Sequence, residues 1–224
     1  MAIVDSRIVG QSRSTKIFYA CVRGLVVGLC RSLLRLRVVG LENVPETGAF
    51  VFAPTHRSTI DIPVASAATR RRMRFMGKDS IWKFKLICKA MTGLGAFPVT
   101  RGSADLEALK RCIAVLHSGE PLVMFPEGTR HFGPEVQPLF DGAAYVALKT
   151  GVPIVPAAIA GTEDVMRSGS KAIRFKKCRM VIGKPIAAEV PGGGRASRDQ
   201  IAELTVKLQN DLQLLLDEAN RLIN

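Results

Sequence analysis

The sequence predicts an α/β fold: a single domain in which a largely parallel or mixed sheet is flanked by helices. Three observations carry this. Short apolar, β-rich runs alternate with helical segments along most of the chain, the pattern of strands joined by crossover helices. The 224 residues suffice for one sizeable core and fall short of two ordinary domains. Apolar residues make up 47% and charged residues 23%, the balance of a globular chain rather than a disordered or polytopic one.

At the N-terminus, Met1–Ser14 is polar, contains Asp5 and lacks an apolar h-region, so no cleaved secretory signal is expected. Ile17–Leu36 is rich in Leu and Val, but Arg23, Arg31 and Arg35 interrupt it, and a span needs about twenty consecutive apolar residues. Wound at about 100° per residue, Lys16, Arg23, Arg31, Arg35 and Arg37 share one arc. Phe18, Cys21, Val22, Leu25, Val26, Leu29, Leu33 and Leu36 gather on the opposite side. A basic amphipathic helix of this kind suits an anionic membrane surface, where the protein would sit as a peripheral or monotopic one. An ordinary core helix with a solvated basic face is the alternative. The sequence therefore divides into a membrane-associating segment, 1–36, and a globular domain, 37–224.

Within that domain, Arg37–Gly40, Ala49–Ala53, Arg74–Gly77, Ala96–Val99, Leu122–Phe125, Ile154–Ala160 and Arg179–Ile182 read as strands. Thr59–Ala68, Ser80–Met91, Ser103–Ser118, Leu139–Thr150 and Ser197–Ile223 read as helices. Gly192–Gly194 lacks the Lys-Ser/Thr ending of a phosphate loop and reads as a linker.

The net charge of +13 points to anionic partners. Residues 1–40 carry seven basic side chains against one acidic, and residues 69–90 carry eight against one, whereas 101–170 are slightly acidic. The positive charge is thus expected to form a patch. Only 6% of residues are aromatic, too few for base-stacking platforms, and no zinc-finger spacing or RNA-binding run occurs, so nucleic acid is not expected as a partner. The five cysteines are scattered and contain no Cys-x-x-Cys pair, which suggests reduced thiols facing the cytoplasm. With three histidines in the whole chain, no metal site is expected.

In α/β sheets, sites form where strands end and helices begin, and three local motifs occupy such junctions. His56 and Asp61 are five residues apart, a spacing that turns them about 140° away from each other on a continuous helix. If His56 lies in the turn before a helix and Asp61 in its first turn, the carboxylate folds back onto the imidazole and leaves the other ring nitrogen as a general base. Glu127-Gly128-Thr129-Arg130 supplies a Gly turn, a hydroxyl, backbone N–H groups and a guanidinium, the parts of a phosphate site, and Arg101 follows another strand. Glu127 has two readings: direct substrate contact, or a carboxylate that orients neighbouring cations.

Together these motifs resemble those of the glycerolipid acyltransferase family typified by the 1-acylglycerol-3-phosphate acyltransferases. His56-Arg57-Ser58-Thr59-Ile60-Asp61 matches the first motif, His-x₄-Asp, and Gly95–Arg101 is similar to the second. Phe125–Arg130 matches the third, and Val152–Pro156 is similar to the fourth. The four cover about residues 50 to 160 in family order. Thr55 stands where the family commonly has Asn, and Thr100 where an acidic residue often precedes the Arg; neither change removes a catalytic group.

The resemblance implies acyl transfer from an acyl thioester, acyl-CoA or acyl carrier protein, to a hydroxyl of 1-acylglycerol 3-phosphate. The product would be phosphatidic acid, and the site would lie at the cytoplasmic face of the membrane. No cofactor is implied beyond the thioester cosubstrate. His56 would take the acceptor's proton and Asp61 would hold His56, while Arg101, Glu127, Gly128, Thr129 and Arg130 would bind the phosphorylated acceptor. Glycerol 3-phosphate or another lysophospholipid is an alternative acceptor, and a non-catalytic anionic-lipid-binding module is the alternative of another class. The Arg70–Arg74 run and Trp82–Lys85 would form a basic and aromatic patch for the membrane or for an acidic carrier protein.

Overall fold

The computed structural model describes residues 12–99, 106–166, 172–190, 192 and 194–223. Its strands are β1 (Arg37–Val39), β2 (Val51–Pro54), β3 (Arg74–Lys78), β4 (Ala96–Val99), β5 (Leu122–Val123), β6 (Ile154–Ala160) and β7 (Arg179–Ile182). They form one sheet in the order β1-β7-β6-β2-β5-β3-β4. All pairings are parallel except β6 with β7, so the sheet is mixed and every expected strand is present.

The helices are α1 (Arg13–Leu33), α2 (Asp61–Ala65), α3 (Lys85–Gly93), α4 (Leu106–His117), α5 (Gly142–Thr150), α6 (Thr162–Val165) and α7 (Arg198–Arg221). The expected helix at 59–68 divides into α2 and a 3-10 turn, Ser66–Ala68; further 3-10 turns, Leu41–Asn43 and Asp79–Lys83, follow β1 and precede α3. The short α6 was not expected, because four residues are too few to show a helical period.

Strand β6 explains why the sheet is central: all seven of its residues are buried, as required of a strand covered on both faces. Pro156 sits inside it without an N–H to donate, yet it lies opposite Gly183, just past the end of β7, where its carbonyl still accepts from the Gly183 N–H at 2.9 Å. The proline thus falls where the antiparallel ladder with β7 stops, while the ladder with β2 runs past it. A Cβ at Gly183 would stand 2.9 Å from Leu215 and 3.0 Å from Pro156, so glycine permits the close approach of α7.

Two apolar clusters cover the two faces. One joins α4, α5 and α7 to the sheet through Cys112, Val146, Leu208, Leu212 and Leu216. The other joins α1 and α2 to Phe50, Phe52, Met73 and Ile159. Ser197 and Gln200 close a capping box at the start of α7, and Leu204, Leu208, Leu212 and Leu216 follow at fourfold spacing along its buried stripe.

Helix α1 differs from the uniform wheel drawn through residue 37. It ends at Leu33, and Arg35 adopts φ 45° as the chain turns into β1, so Arg35 and Arg37 leave the helical arc. Tyr19, Val27, Cys30 and Leu34 are buried against the domain, and the Arg23 Nε donates to the Ser66 carbonyl at 2.9 Å. The packed side is therefore next to the basic arc, and Phe18, Leu25, Leu29 and Leu33 remain exposed. None of the described helices is long and apolar enough to cross a membrane.

Candidate active site

Strand β2 delivers Thr55 and His56 to the carboxyl end of the parallel strands, and α2 begins five residues later at Asp61. Thr55 extends the sheet with its side chain: its Oγ1 accepts from the Ile159 N–H at 2.9 Å. The turn 57–60 reverses the chain, so Asp61 folds back. Its Oδ2 accepts from the backbone N–H of Arg57 at 2.5 Å and of Ser58 at 2.6 Å, and lies 3.0 Å from the His56 Nδ1. Its Oδ1 accepts from the Thr162 hydroxyl at 2.5 Å.

Asp61 is completely buried. A buried carboxylate is costly unless its lone pairs are filled, and here two backbone amides, a hydroxyl and an imidazole fill them. The network assigns the proton to Nδ1, which makes Nε2 the lone-pair nitrogen. His56 is further fixed by its backbone: its N–H donates to the Glu127 Oε2 at 2.7 Å, and its carbonyl accepts from the His131 N–H at 2.9 Å. Its ring stacks on Phe125 at a centroid distance of 4.1 Å. Among the described residues, Nε2 has no protein partner, which leaves it available to a bound hydroxyl.

Phe125–Arg130 leaves β5, the immediate neighbour of β2, and this adjacency brings the first and third motifs together. Glu127 faces inward. It is 1% exposed; besides His56, it receives the Gln137 N–H on Oε1 at 3.3 Å and pairs with the Arg57 Nη2 at 3.7 Å. Both oxygens are thus engaged by the protein, an arrangement suited to a carboxylate that orients its neighbours. The Gly128 N–H donates to the Phe125 carbonyl at 3.0 Å, and the Thr129 N–H to the Glu127 carbonyl at 2.8 Å. These amides close the turn. Gly128 has φ 69°, which favours glycine, and a Cβ there would stand 2.6 Å from the ring of the exposed Phe140, which would have to move aside.

Thr129 and Arg130 are exposed. The Arg130 Nη1 donates to the Thr59 hydroxyl at 2.8 Å, and the Thr129 hydroxyl lies 3.0 Å from the His131 Nε2. Arg130 is thus anchored to the first motif on the outer side of the site. Arg101 lies outside the described residues. The exit of β4, which precedes it, is separated from β5 by β3, an offset of about 10 Å at ordinary strand spacing.

The third strand exit to reach the pair is that of β6, through the Thr162 hydroxyl on Asp61. Sequence reasoning missed this residue. The available signal was Gly161-Thr162 directly after an all-apolar strand, the junction type already used to choose the other motifs. Behind the pair, burial raises the Glu163 carboxyl above its ordinary value and Asp61 adds to the effect, while Arg57 opposes it. Burial, with Asp61 second, pushes the Cys178 thiol up to about 12, so this thiol is protonated and inert at neutral pH. Among the described residues, no cluster of three or more His, Cys, Asp or Glu is placed to hold a metal ion.

The basic and aromatic patch is divided. Arg72 and Arg74 pair with Glu120 at 2.6 Å each at the start of β3, whereas Trp82 and Phe84 follow its end. The five-residue strand separates the two groups by about 16 Å. Phe84 joins Ile62 and Ile87 as exposed apolar residues on α2 and around α3, the helices against which α1 packs.

Residues 35–160, more than half of the chain, match the model of the Acyltransferase family. The chain is 34% identical over 153 residues to the 1-acyl-sn-glycerol-3-phosphate acyltransferase BAT2, chloroplastic, of Brassica napus, covering 66% of this chain and 44% of the relative. It is 29% identical to the 1-acyl-sn-glycerol-3-phosphate acyltransferase of Bacillus subtilis, covering 84% of this chain and 91% of that one. The chain therefore spans less than half the length of its plant relative and most of the bacterial one. The crystal structure of the 1-acyl-sn-glycerophosphate (LPA) acyltransferase PlsC from Thermotoga maritima shares the fold, with a TM-score of 0.76 over 93% of this chain and 83% of that one at 23% identity. With the family match spanning both the His-x₄-Asp motif and the buried Glu127 turn that holds it, the chain belongs to the acyltransferase family.

Proposed function

We propose that the protein transfers a long acyl chain from an acyl thioester to the free hydroxyl of 1-acylglycerol 3-phosphate, giving phosphatidic acid. The carrying observation is the fully buried Asp61, whose oxygens hold four donors including His56 Nδ1. This arrangement presents Nε2 as a base and supports the imidazolium that forms. His56 Nε2 takes the acceptor's proton as its oxygen attacks the thioester carbonyl. The tetrahedral intermediate then collapses to the ester, the C–S bond breaks, and the thiolate leaves with the proton from His56. The acceptor is itself the nucleophile, so no acyl-enzyme is needed.

Arg130 reads the acceptor phosphate, with Thr129 beside it, and the same role is assigned to Arg101 on its second-motif sequence alone. The relatives named for the same acceptor support this choice over glycerol 3-phosphate. The donor is acyl-CoA or acyl carrier protein. The exposed apolar side chains of α1, with Ile62, Phe84 and Ile87, meet the bilayer at its cytoplasmic face and place the site where a lysolipid is found.

The test is thiol release from palmitoyl-CoA, and then from palmitoyl carrier protein, on anionic vesicles with 1-acylglycerol 3-phosphate, glycerol 3-phosphate or no acceptor. Release stimulated most by 1-acylglycerol 3-phosphate supports the proposal. Equal stimulation by glycerol 3-phosphate moves the acceptor, and lipid binding without release from either donor overturns the enzymatic reading.

A further inference from the structure

At the end of the sheet opposite His56, one flank of α1 closes a cavity of about 660 Å³ against the connection between β1 and β2. Four arginines line it, Arg23, Arg31, Arg70 and Arg71, against two carboxylates, Glu42 and Glu46. Arg71 is built in: it donates to the carbonyls of Pro45 at 3.0 Å, Gly48 at 2.5 Å and Gly119 at 3.2 Å, and lies over the Phe50 ring. Arg23 is half-buried, and among the described residues it spends only its Nε, on Ser66. Arg31 and Arg70 make no hydrogen bond or ion pair among the described residues, and neither do Glu42 and Glu46. The cavity therefore keeps an excess of cations with unspent donors. The proximity has a cost: burial lowers the Arg23 guanidinium, Tyr19 opposes this, and Arg31 and Arg70 lower it further by repulsion.

The same helix suggests what kind of anion fits. At 100° per residue, Gly24 and Gly28 fall between the arginine flank and the exposed Leu25 and Leu29. No atom lies within 4 Å of where a Cβ would stand on either glycine. A chain leaving the cavity can therefore lie on bare helix backbone and continue onto an apolar stripe. A head that guanidinium groups bind bidentately, joined to an apolar tail, satisfies both parts. A soluble anion uses only the first.

We propose that this cavity is a second lipid site, which holds the phosphate headgroup of an anionic glycerolipid while an acyl chain passes over Gly24 and Gly28 into the bilayer. The proposal rests on the reading of α1 as membrane-facing and is independent of the acyl-transfer chemistry, since β2 separates the cavity from His56.

The experiment measures binding of the full chain to phosphatidylcholine vesicles with and without phosphatidic acid. It compares wild type, the double variant Arg31→Gln/Arg70→Gln, and a control, Lys207→Gln/Arg221→Gln, that removes the same charge from α7. The cavity variant is expected to lose roughly thirty-fold in affinity for phosphatidic acid vesicles, the control less than about threefold, and both to match wild type on phosphatidylcholine alone. Equal losses in the two variants would reduce the site to diffuse surface charge and overturn the proposal. Displacement of the protein from phosphatidic acid vesicles by inorganic phosphate, with no loss in the control titration against sulfate, would overturn the lipid as occupant. Acyl transfer in neutral detergent micelles should stay within about twofold of wild type in the cavity variant, so failure of the enzymatic reading would be seen separately. Failure of wild type to bind neutral vesicles would instead refute the membrane-facing reading of α1.

Discussion

Thr162→Val tests the site at its least obvious point. The substitution keeps the shape of the side chain and deletes one hydrogen bond, the 2.5 Å contact from the hydroxyl to the Asp61 Oδ1. Both residues are completely buried, so water cannot replace the lost donor. Hydrogen bonds to charged groups are worth about 1.5–3 kcal/mol, and a loss of about 2 kcal/mol in a chain of this size lowers Tm by roughly 4–8 °C. The other three donors, on Oδ2, keep Asp61 in place, but its carboxylate is free to rotate and His56 follows. An angular loosening of this kind is expected to lower kcat about tenfold, equivalent to about 1.4 kcal/mol of barrier, with KM for the acceptor unchanged. Thermal melting and acceptor-dependent thiol release, measured on the Val and Ser variants, separate the effects. Thr162→Ser keeps the hydroxyl and should recover most of the activity. Wild-type kcat and Tm in Thr162→Val would refute the assignment of Thr162 as the residue that orients Asp61.

Further expectations follow from the same network. Glu127→Ala leaves Arg57 buried without its carboxylate and should cost about 3–5 kcal/mol, with a fall in kcat through His56 and little change in acceptor KM; a pure KM effect would return Glu127 to substrate contact. Arg130→Ala should do the reverse, raising KM for phosphate-bearing acceptors only, as checked against an acceptor lacking the phosphate. Glu163, raised above its ordinary 4.5 by burial and then by Asp61, contributes stability that is present below that value and lost as pH rises through the folded one. Thermal melts of Glu163→Gln should therefore gain on wild type as pH increases and then level off; a constant difference across pH would contradict this. Gly128→Ala must hold an L-residue at φ 69° beside Phe140 and should destabilise by about 1–2 kcal/mol, read from the denaturation midpoint.

Much of the architecture was legible in the sequence because strands and crossover helices differ in period. All seven strands lie where β-rich apolar runs do, and the first and third motifs converge because their strands, β2 and β5, are neighbours. That adjacency is a property of strand order, which no local pattern encodes. For the same reason the contribution of β6 through Thr162 was not anticipated, whereas an equal role was expected for the distant β4. The direction of a side chain was equally hidden. Glu127 is inside because β5 delivers it beneath His56 and because Arg57 supplies a buried cation; the sequence shows only a Glu in a Gly turn. Helix α1 was legible as a helix, but a wheel cannot show which flank the domain covers. The turn at Arg35 that cuts the wheel short is imposed by the pairing of β1 with β7.

The central claim is that His56, held by Asp61, takes the proton of the attacking hydroxyl. Its most direct test is single-turnover acyl transfer from palmitoyl-CoA to 1-acylglycerol 3-phosphate by wild type and His56→Ala, with folding checked by thermal melting and lysolipid binding measured in parallel. A folded His56→Ala that binds the lysolipid as wild type does and loses at least about a hundredfold in the chemical step is the result expected. Transfer at an undiminished rate in that variant would contradict the account.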